Sequence, residues 1–400
     1  MLRGRVRHLT VASVLIAFAA GCGSSGDARE ITDTTLASSV VPTSDGPTTT
    51  VGSVPEPSDE IDLSELPGRV VVQSVGCGVQ LDMSSMGQAM EGVDNVEEVM
   101  DIIDQFDPEG LASNFQVCVL NPDGSGLTLV SETEVDTSTM GWTLDGESVM
   151  YRSDAQWFVV DPDGSNRRPW DDPTYLPWRV SPDESLYVNR SVHDDNVYLT
   201  PVGEERNGPG SRAVLESIEV FETAYRWSPD GRFLLYFETP GDCPTMWKID
   251  VTTLERTQLS GPGSATDSAA LCAMQNMASW SPDGSTILVL DYEGLSVDSR
   301  PFLIDADGTN LRPLITEDPY EDPEWMATDA AWSPDGLYVM VDIVSVRGLE
   351  QGASTLHVVR LSDGVIEPVP IDSVTTIIDL MWMPEAPALD PLPHEDMDAV

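Results

Sequence analysis

Beyond the first 22 residues this chain holds three histidines, His193, His357 and His394. Histidine is the usual general acid or base near neutral pH, so these are the first residues to weigh. His357 falls in a run of strand character and reads as packed. His193-Asp194-Asp195 has metal-ligand types, but it reads as a solvated turn. Asp161-Pro162-Asp163-Gly164 and Asp305-Ala306-Asp307-Gly308 invite a calcium reading. An EF-hand loop needs acids at its first, third and fifth positions and glycine at the sixth. Here glycine comes fourth, which makes these turn residues. No Gly-x-Ser-x-Gly, His-Glu-x-x-His or phosphate-binding glycine loop occurs. The expectation is therefore no metal, no cofactor and no catalytic residue assigned by motif. Hydrolysis or lysis of a carbohydrate or peptide would need two facing carboxyls, one with a raised pKa. Sequence spacing does not locate such a pair.

A second group of residues suits binding. Two irregular stretches, 169–177 and 317–328, bring Trp170, Tyr175, Asp318, Tyr320, Glu321, Asp322 and Trp325 together by type. Large aromatic anchors among carboxylates fit a cationic or basic partner. A solvating rim of acids, with aromatics closing internal interfaces, is the plainer alternative.

Composition narrows the partner. There are 20 Lys+Arg against 68 Asp+Glu, a formal net charge of −48, and Lys248 is the sole lysine. Such a field repels phosphate backbones and anionic lipid, which excludes nucleic acid and unassisted membrane binding. Hydrophobic residues at 40% and ten tryptophans argue for a folded chain. The abundance of glycine and proline, 31 and 30, argues for many turns and against a helical bundle.

Residues 1–22 read as an export signal. Arg3, Arg5 and Arg7 precede a short apolar stretch, Leu9–Ala20, too brief for a bilayer that needs about 20 residues. It ends in Ala19-Ala20-Gly21-Cys22, which resembles a bacterial lipobox and marks Cys22 for lipidation. An ordinary secretory signal is the alternative. Residues 23–60, rich in Ser, Thr and Pro, form a flexible tether, and 386–400 an unstructured acidic tail. An exported chain with Cys77, Cys118, Cys243 and Cys272 suggests two disulfides out of three possible connectivities, with free thiols as the alternative. Strand neighbours and shared loops favour Cys77–Cys118 and Cys243–Cys272. Within the first pair lies an apolar period of three and four (Met86, Met90, Val93, Met100, Phe106) that predicts a helix over about 84–107.

Internal repetition settles the fold class. Trp-Ser-Pro-Asp-Gly occurs at Trp227, Trp280 and Trp332, with degenerate copies at Trp142, Val180 and Trp382. The intervals are 38, 47, 53, 52 and 50 residues, the range of propellers and solenoids. After each Pro-Asp-Gly turn comes a strand apolar at every position, such as Phe233–Phe237 or Ile287–Leu290, which must be covered on both faces. An Asp-Gly turn then joins a third strand to a short fourth. Four strands per repeat make a propeller blade. The last strand, 377–383, lacks successors, and the strands at 69–75, 115–120 and 127–130 lack a first member. Together they complete a sixth blade and protect both terminal edges. The reading is all-β: a six-bladed propeller over 61–385, with its closing blade shared by the two ends and one helical insertion.

This Trp-Ser-Pro-Asp-Gly and Asp-x-Asp-Gly pattern, over roughly residues 69–384, resembles the repeat of TolB-type β-propellers. The resemblance implies the fold, an architecture that hosts both binding proteins and enzymes. Together with the lipobox, the reading is a lipid-anchored, monomeric, non-enzymatic cell-envelope protein that binds another envelope or periplasmic protein, with an extracellular hydrolase or lyase as the alternative. TolB carries an N-terminal α/β domain, and this chain has a tether and one predicted helix in that place. Tight turns on one face leave the long loops of the other for the partner.

Overall fold

The computed structural model describes residues 60–75, 115–131, 140–143, 145–170, 176, 179–191, 193–194, 196–216, 225–238, 245–261, 273–291, 299–316, 325–345, 354–371 and 376–383. They form six antiparallel sheets. The closing blade joins β1 (Arg69–Val75), β2 (Phe115–Leu120) and β3 (Thr128–Leu129) to the last strand of the chain. Blade one is β4 (Met140–Trp142), β5 (Val149–Ser153), β6 (Gln156–Val160) and β7 (Arg168–Pro169). Blade two is β8 (Leu186–Arg190), β9 (Val197–Pro201) and β10 (Arg212–Leu215). Blade three is β11 (Arg226–Trp227), β12 (Phe233–Glu238), β13 (Thr245–Asp250) and β14 (Arg256–Gln258). Blade four is β15 (Ala273–Trp280), β16 (Thr286–Asp291), β17 (Arg300–Asp305) and β18 (Arg312–Pro313). Blade five is β19 (Trp325–Trp332), β20 (Tyr338–Ser345), β21 (Ser354–Arg360) and β22 (Ile366–Pro368). The final strand, β23 (Thr376–Met383), pairs with β1 as the inner strand of the closing blade, so the two ends of the chain close the ring together.

One sheet departs from the four-stranded expectation. In blade two the first strand shrinks to a single bridge, Val180 to Tyr187. This repeat has Val180 where the others carry tryptophan, and Glu184 where the Trp142, Trp227, Trp280 and Trp332 copies carry glycine. Glu184 is held at φ +57°, a conformation glycine adopts freely and glutamate does not. The predicted helix over 84–107 lies outside the described residues. Among the described residues no helix is long and apolar enough to cross a membrane.

The all-apolar second strands explain the stacking. Leu235 and Phe237 of β12 enter one core with Ile287 and Val289 of blade four. Leu234 and Tyr236 enter another with Val188 and Leu199 of blade two. Each side chain buried in this way contributes about 1.5–3 kcal/mol, and alternation along one strand stabilises two seams at once.

The repeated turn is held by its own side chains. In Trp227–Gly231, the Ser228 hydroxyl donates to Asp230 at 2.6 Å and accepts from the Phe233 amide at 2.8 Å. Asp230 also accepts from the Arg232 amide, and Gly231 sits at φ +68°. Pro229 lies against Gly284 of the next blade, 3.6 Å from where a Cβ would stand, and Pro282 against Gly336 at 3.4 Å. The indole N–H of each intact motif reaches back one blade. Trp227 donates to the Arg179 carbonyl, Trp280 to that of Arg226 and Trp332 to that of Ser279, at 3.1–3.3 Å.

Candidate functional site

Strand order divides the connections between two faces. Turns joining first to second and third to fourth strands lie on one face; most are tight, such as 228–232 and 306–311, and the longest is 202–211. The opposite face receives the second-to-third links and the blade-to-blade links. These include residues 76–114, 239–244, 259–272, 292–299, 314–324 and 346–353.

The sequence placed its binding residues on that second face. Trp170 is half-buried and packs against the small core of Met150, Trp157, Val159 and Leu176. Its amide donates to the Trp157 carbonyl at 2.8 Å. Tyr175, Asp318, Tyr320, Glu321 and Asp322 lie outside the described residues. Trp325 corrects the expectation of an exposed anchor: it opens β19 at 1% exposure, in the core between blades four and five. The Arg300 guanidinium stacks 3.7 Å from its ring centroid and donates to its carbonyl. The alternating buried and partly exposed pattern of β19 puts Trp325 in register with Ala327, Asp329 and Ala331 on the buried face. Cys118 is disulfide-bonded, whereas Cys77, Cys243, Cys272 and Cys22 lie outside the described residues.

Other residues weighed for chemistry serve the scaffold. His357 is 5% exposed in β21 and its Nδ1 meets the Thr355 carbonyl at 3.1 Å, and burial lowers its pKa. Asp194 accepts the Tyr198 hydroxyl at 2.7 Å and the Asn196 amide at 3.2 Å. Asp163 and Asp307 accept turn amides from Ser165 and Thr309.

A different group of titratable residues gathers on the inner strands. Asp329 of β19, Asp379 of β23 and Arg226 of β11 come from blade five, the closing blade and blade three. Asp329 is 7% exposed; Asp379 and Arg226 are half-buried. Asp329 Oδ1 accepts from its neighbour Ala330 N at 2.7 Å, and Oδ2 accepts from Leu380 N of β23 at 2.6 Å. The Asp379 and Asp329 carboxyls are near enough for each to affect the other's ionisation. Behind them Asp342 of β20, fully buried and in register with Asp329, accepts the Thr328 hydroxyl. Burial first, then the charge of Asp379, pushes Asp329 well above the ordinary carboxylate range. Burial raises Asp379 to about 6, while the nearby Arg226 restrains the rise. Burial lowers Arg226, and Asp379 and Asp329 oppose that shift.

Two local irregularities place this pair. The ladder between β19 and β20 skips Thr328, and that between β23 and β1 skips Ile378. Each β-bulge immediately precedes a channel aspartate, and bulges re-aim the side chains beside them. Sequence reasoning missed the pair, although a signal exists. Three residues before the motif tryptophan stand Thr139, Ala224 and Met277 in other copies, but Asp329 and Asp379 in the last two.

With this geometry in view, solved structures supply the comparison. The crystal structure of TolB from Acinetobacter baumannii aligns with a TM-score of 0.51 at 14% identity, over 80% of this chain and 67% of that one. The fold is that of a TolB-like six-bladed propeller. A putative TolB from Agrobacterium tumefaciens aligns with a TM-score of 0.45, also at 14% identity, over 65% of this chain and 87% of that one. No family model and no curated protein matches the sequence. In this TolB-like propeller, therefore, function has to be argued from its own residues.

Proposed function

We propose that this TolB-like propeller is a non-enzymatic protein-binding module of the cell envelope, exported and lipidated on Cys22, that takes a basic partner on its long-loop face. The observation that carries the reading is the topological division of the ring. The repeated Ser-Pro-Asp turns fall on one face, and the longest connections fall on the other, beside the short links 154–155 and 191–196. The turn face has its serines and aspartates engaged with each other and with backbone amides. The loop face keeps Tyr175, Tyr320, Asp318, Glu321 and Asp322 for contact; Trp325 belongs to the core and Trp170 to its edge. Cys77 pairs with Cys118 and Cys243 with Cys272, which would anchor two of those connections.

Crosslinked capture from native envelopes tests this. Tyr175→Ala and Tyr320→Ala should each weaken capture with an unchanged melting temperature, and reversal of Asp318, Glu321 and Asp322 should slow association. Capture equal to that of the unaltered protein across this set would reject the face. Mass spectrometry showing a mature terminus other than lipidated Cys22 would reject the anchor.

A second reading is favoured by the inner-strand acids Asp329 and Asp379, both raised above the ordinary carboxylate range by burial. It makes the chain an extracellular hydrolase or lyase. Carbohydrate and peptide are the substrate classes that such a carboxyl pair serves. Turnover of a dye-labelled protein or polysaccharide mixture that disappears in Asp379→Asn would establish it; no turnover by the unaltered protein would dismiss it.

A further inference from the structure

The same strand positions meet the preceding blade all around the ring. They are the second-strand residue paired with the first position of the motif, and the third-strand residue paired with that one in turn. Blade three places Leu234 and Ile249 there, blade four Ile287 and Ile304, and blade five Val339 and Val359. All six are buried in the apolar cores between blades. The closing blade and blade one carry only valine and leucine at these positions, equally buried. Blade two differs: it has Tyr187 and Thr200, and Val180 where the other copies begin with tryptophan. Two residues after Tyr187, Asn189 stands where blade five has Val341. Alternation fixes the direction, because Val188 and Leu199 lie in the core shared with blade three. Tyr187, Asn189 and Thr200 therefore face blade one.

This face is polar and bonded to itself. Asn189 Nδ2 donates to the Thr200 hydroxyl at 2.8 Å, and that hydroxyl meets the Ser211 hydroxyl, also at 2.8 Å. Asn189 and Thr200 are buried, and Asn189 Oδ1 has no hydrogen-bond partner among the described residues. Across the seam blade one offers Met150 and Val159, which have no proton to donate. Every bond of the row lies inside blade two, so parting blades one and two breaks none of them and brings water to Asn189 Oδ1. Parting another seam bares hydrocarbon on both sides. The closing blade has an apolar core on each flank, and the ladder of β1 with β23 ties its two chain ends together. We propose that the ring opens reversibly at the seam between blades one and two, which is its joint, and not at the blade assembled from the two chain ends. The joint goes beyond the binding reading, since it concerns motion of the ring whatever the loop face carries.

Methionine oxidation by dilute hydrogen peroxide on the full mature chain, followed peptide by peptide, tests the joint without any substitution. Met150 and Met340 hold the same place in their repeats, each eight residues after the motif tryptophan, and both are fully buried. Met150 faces blade two and Met340 faces the closing blade. Met246 is as deeply buried between blades three and four. A buried thioether reacts when local opening admits the oxidant, so the three rates rank the three seams. Met150 should oxidise at least about tenfold faster than Met340 and Met246. Asn189→Val combined with Thr200→Val gives blade two the residues that blade five carries. It should bring Met150 to within about twofold of Met340 and leave the other two rates unchanged. The proposal is overturned if the three methionines oxidise at one rate, as global unfolding would produce, or if Met340 or Met246 leads. It is equally overturned if the double variant folds and Met150 reacts as fast as before. Should the double variant fail to fold, the ranking in the unaltered chain decides.

Discussion

Aspartates in the repeated turns and aspartates on the inner strands receive similar hydrogen bonds and shift in opposite directions. Asp283 accepts the Ser281 hydroxyl at 2.6 Å and the Ser285 amide at 3.0 Å, and these bonds hold its pKa below the ordinary value. Asp250 accepts the Thr252 and Thr253 amides and the Arg232 guanidinium, and is pushed down to about 2. Asp329 also accepts two backbone amides, yet its pKa rises. The difference is water and the neighbour. Asp283 stays exposed, and Asp250, only 5% exposed, has the Arg232 guanidinium for a neighbour, so in both every donor favours the ion. Asp329 is cut off from solvent and faces a second acid, and those two effects outweigh its donors. Hydrogen bonds alone do not fix a charge state.

The comparison can be broken most severely at the closing blade. Deleting residues 376–400 removes β23 with Asp379, bares β1 and the inner face of blade five, and should abolish cooperative thermal unfolding. Deleting 386–400 should leave melting unchanged, and equal melting of the two truncations would show that β23 does not close the ring. Next in size is Trp325→Ala. As a buried aromatic it should cost about 3–5 kcal/mol in denaturant titration. A loss under 1 kcal/mol would return Trp325 to the exposed anchors.

A pH profile of stability separates the two sets of aspartates. Turn aspartates with lowered pKa contribute fully above their unfolded value, and that contribution fades as pH falls through the folded one. The inner pair contributes fully below the unfolded value and loses its contribution as pH rises through about 6. Stability should therefore peak between about pH 4 and 6, and Asp379→Asn should flatten only the alkaline side. A peak that stays in place in that variant would detach the pair from the alkaline limb. The smallest effect belongs to a single turn. Ser228→Ala removes one donor to Asp230 and one acceptor for the Phe233 amide, for about 1 kcal/mol, and should leave the alkaline limb untouched.

Much of this architecture was legible in the residues. The Trp-Ser-Pro-Asp-Gly copies identify inner strands and first turns because each member has a local task. Serine and aspartate bond within five residues, glycine takes positive φ, and proline meets the next glycine. Strands apolar at every position announce two covered faces. A final strand without successors, matched to early strands without a predecessor, announces how the ring closes. Such signals are local or periodic, so the chain carries them in one dimension. Trp325 was misjudged because aromatic and acidic residues crowd the stretch before it. Nothing in that spacing shows where loop ends and β19 begins. The inner pair depends on still more distant partners. Asp329 and Asp379 are 50 residues apart, and Arg226 lies a hundred before Asp329. Only curvature of the ring brings blades three and five and the closing blade together, and a bulge precedes each of the two aspartates. Repeat, blade and closure are written along the chain in local signals. The assembled ring decides which of 68 acids lose water and face one another, because desolvation and proximity exist only once distant strands meet.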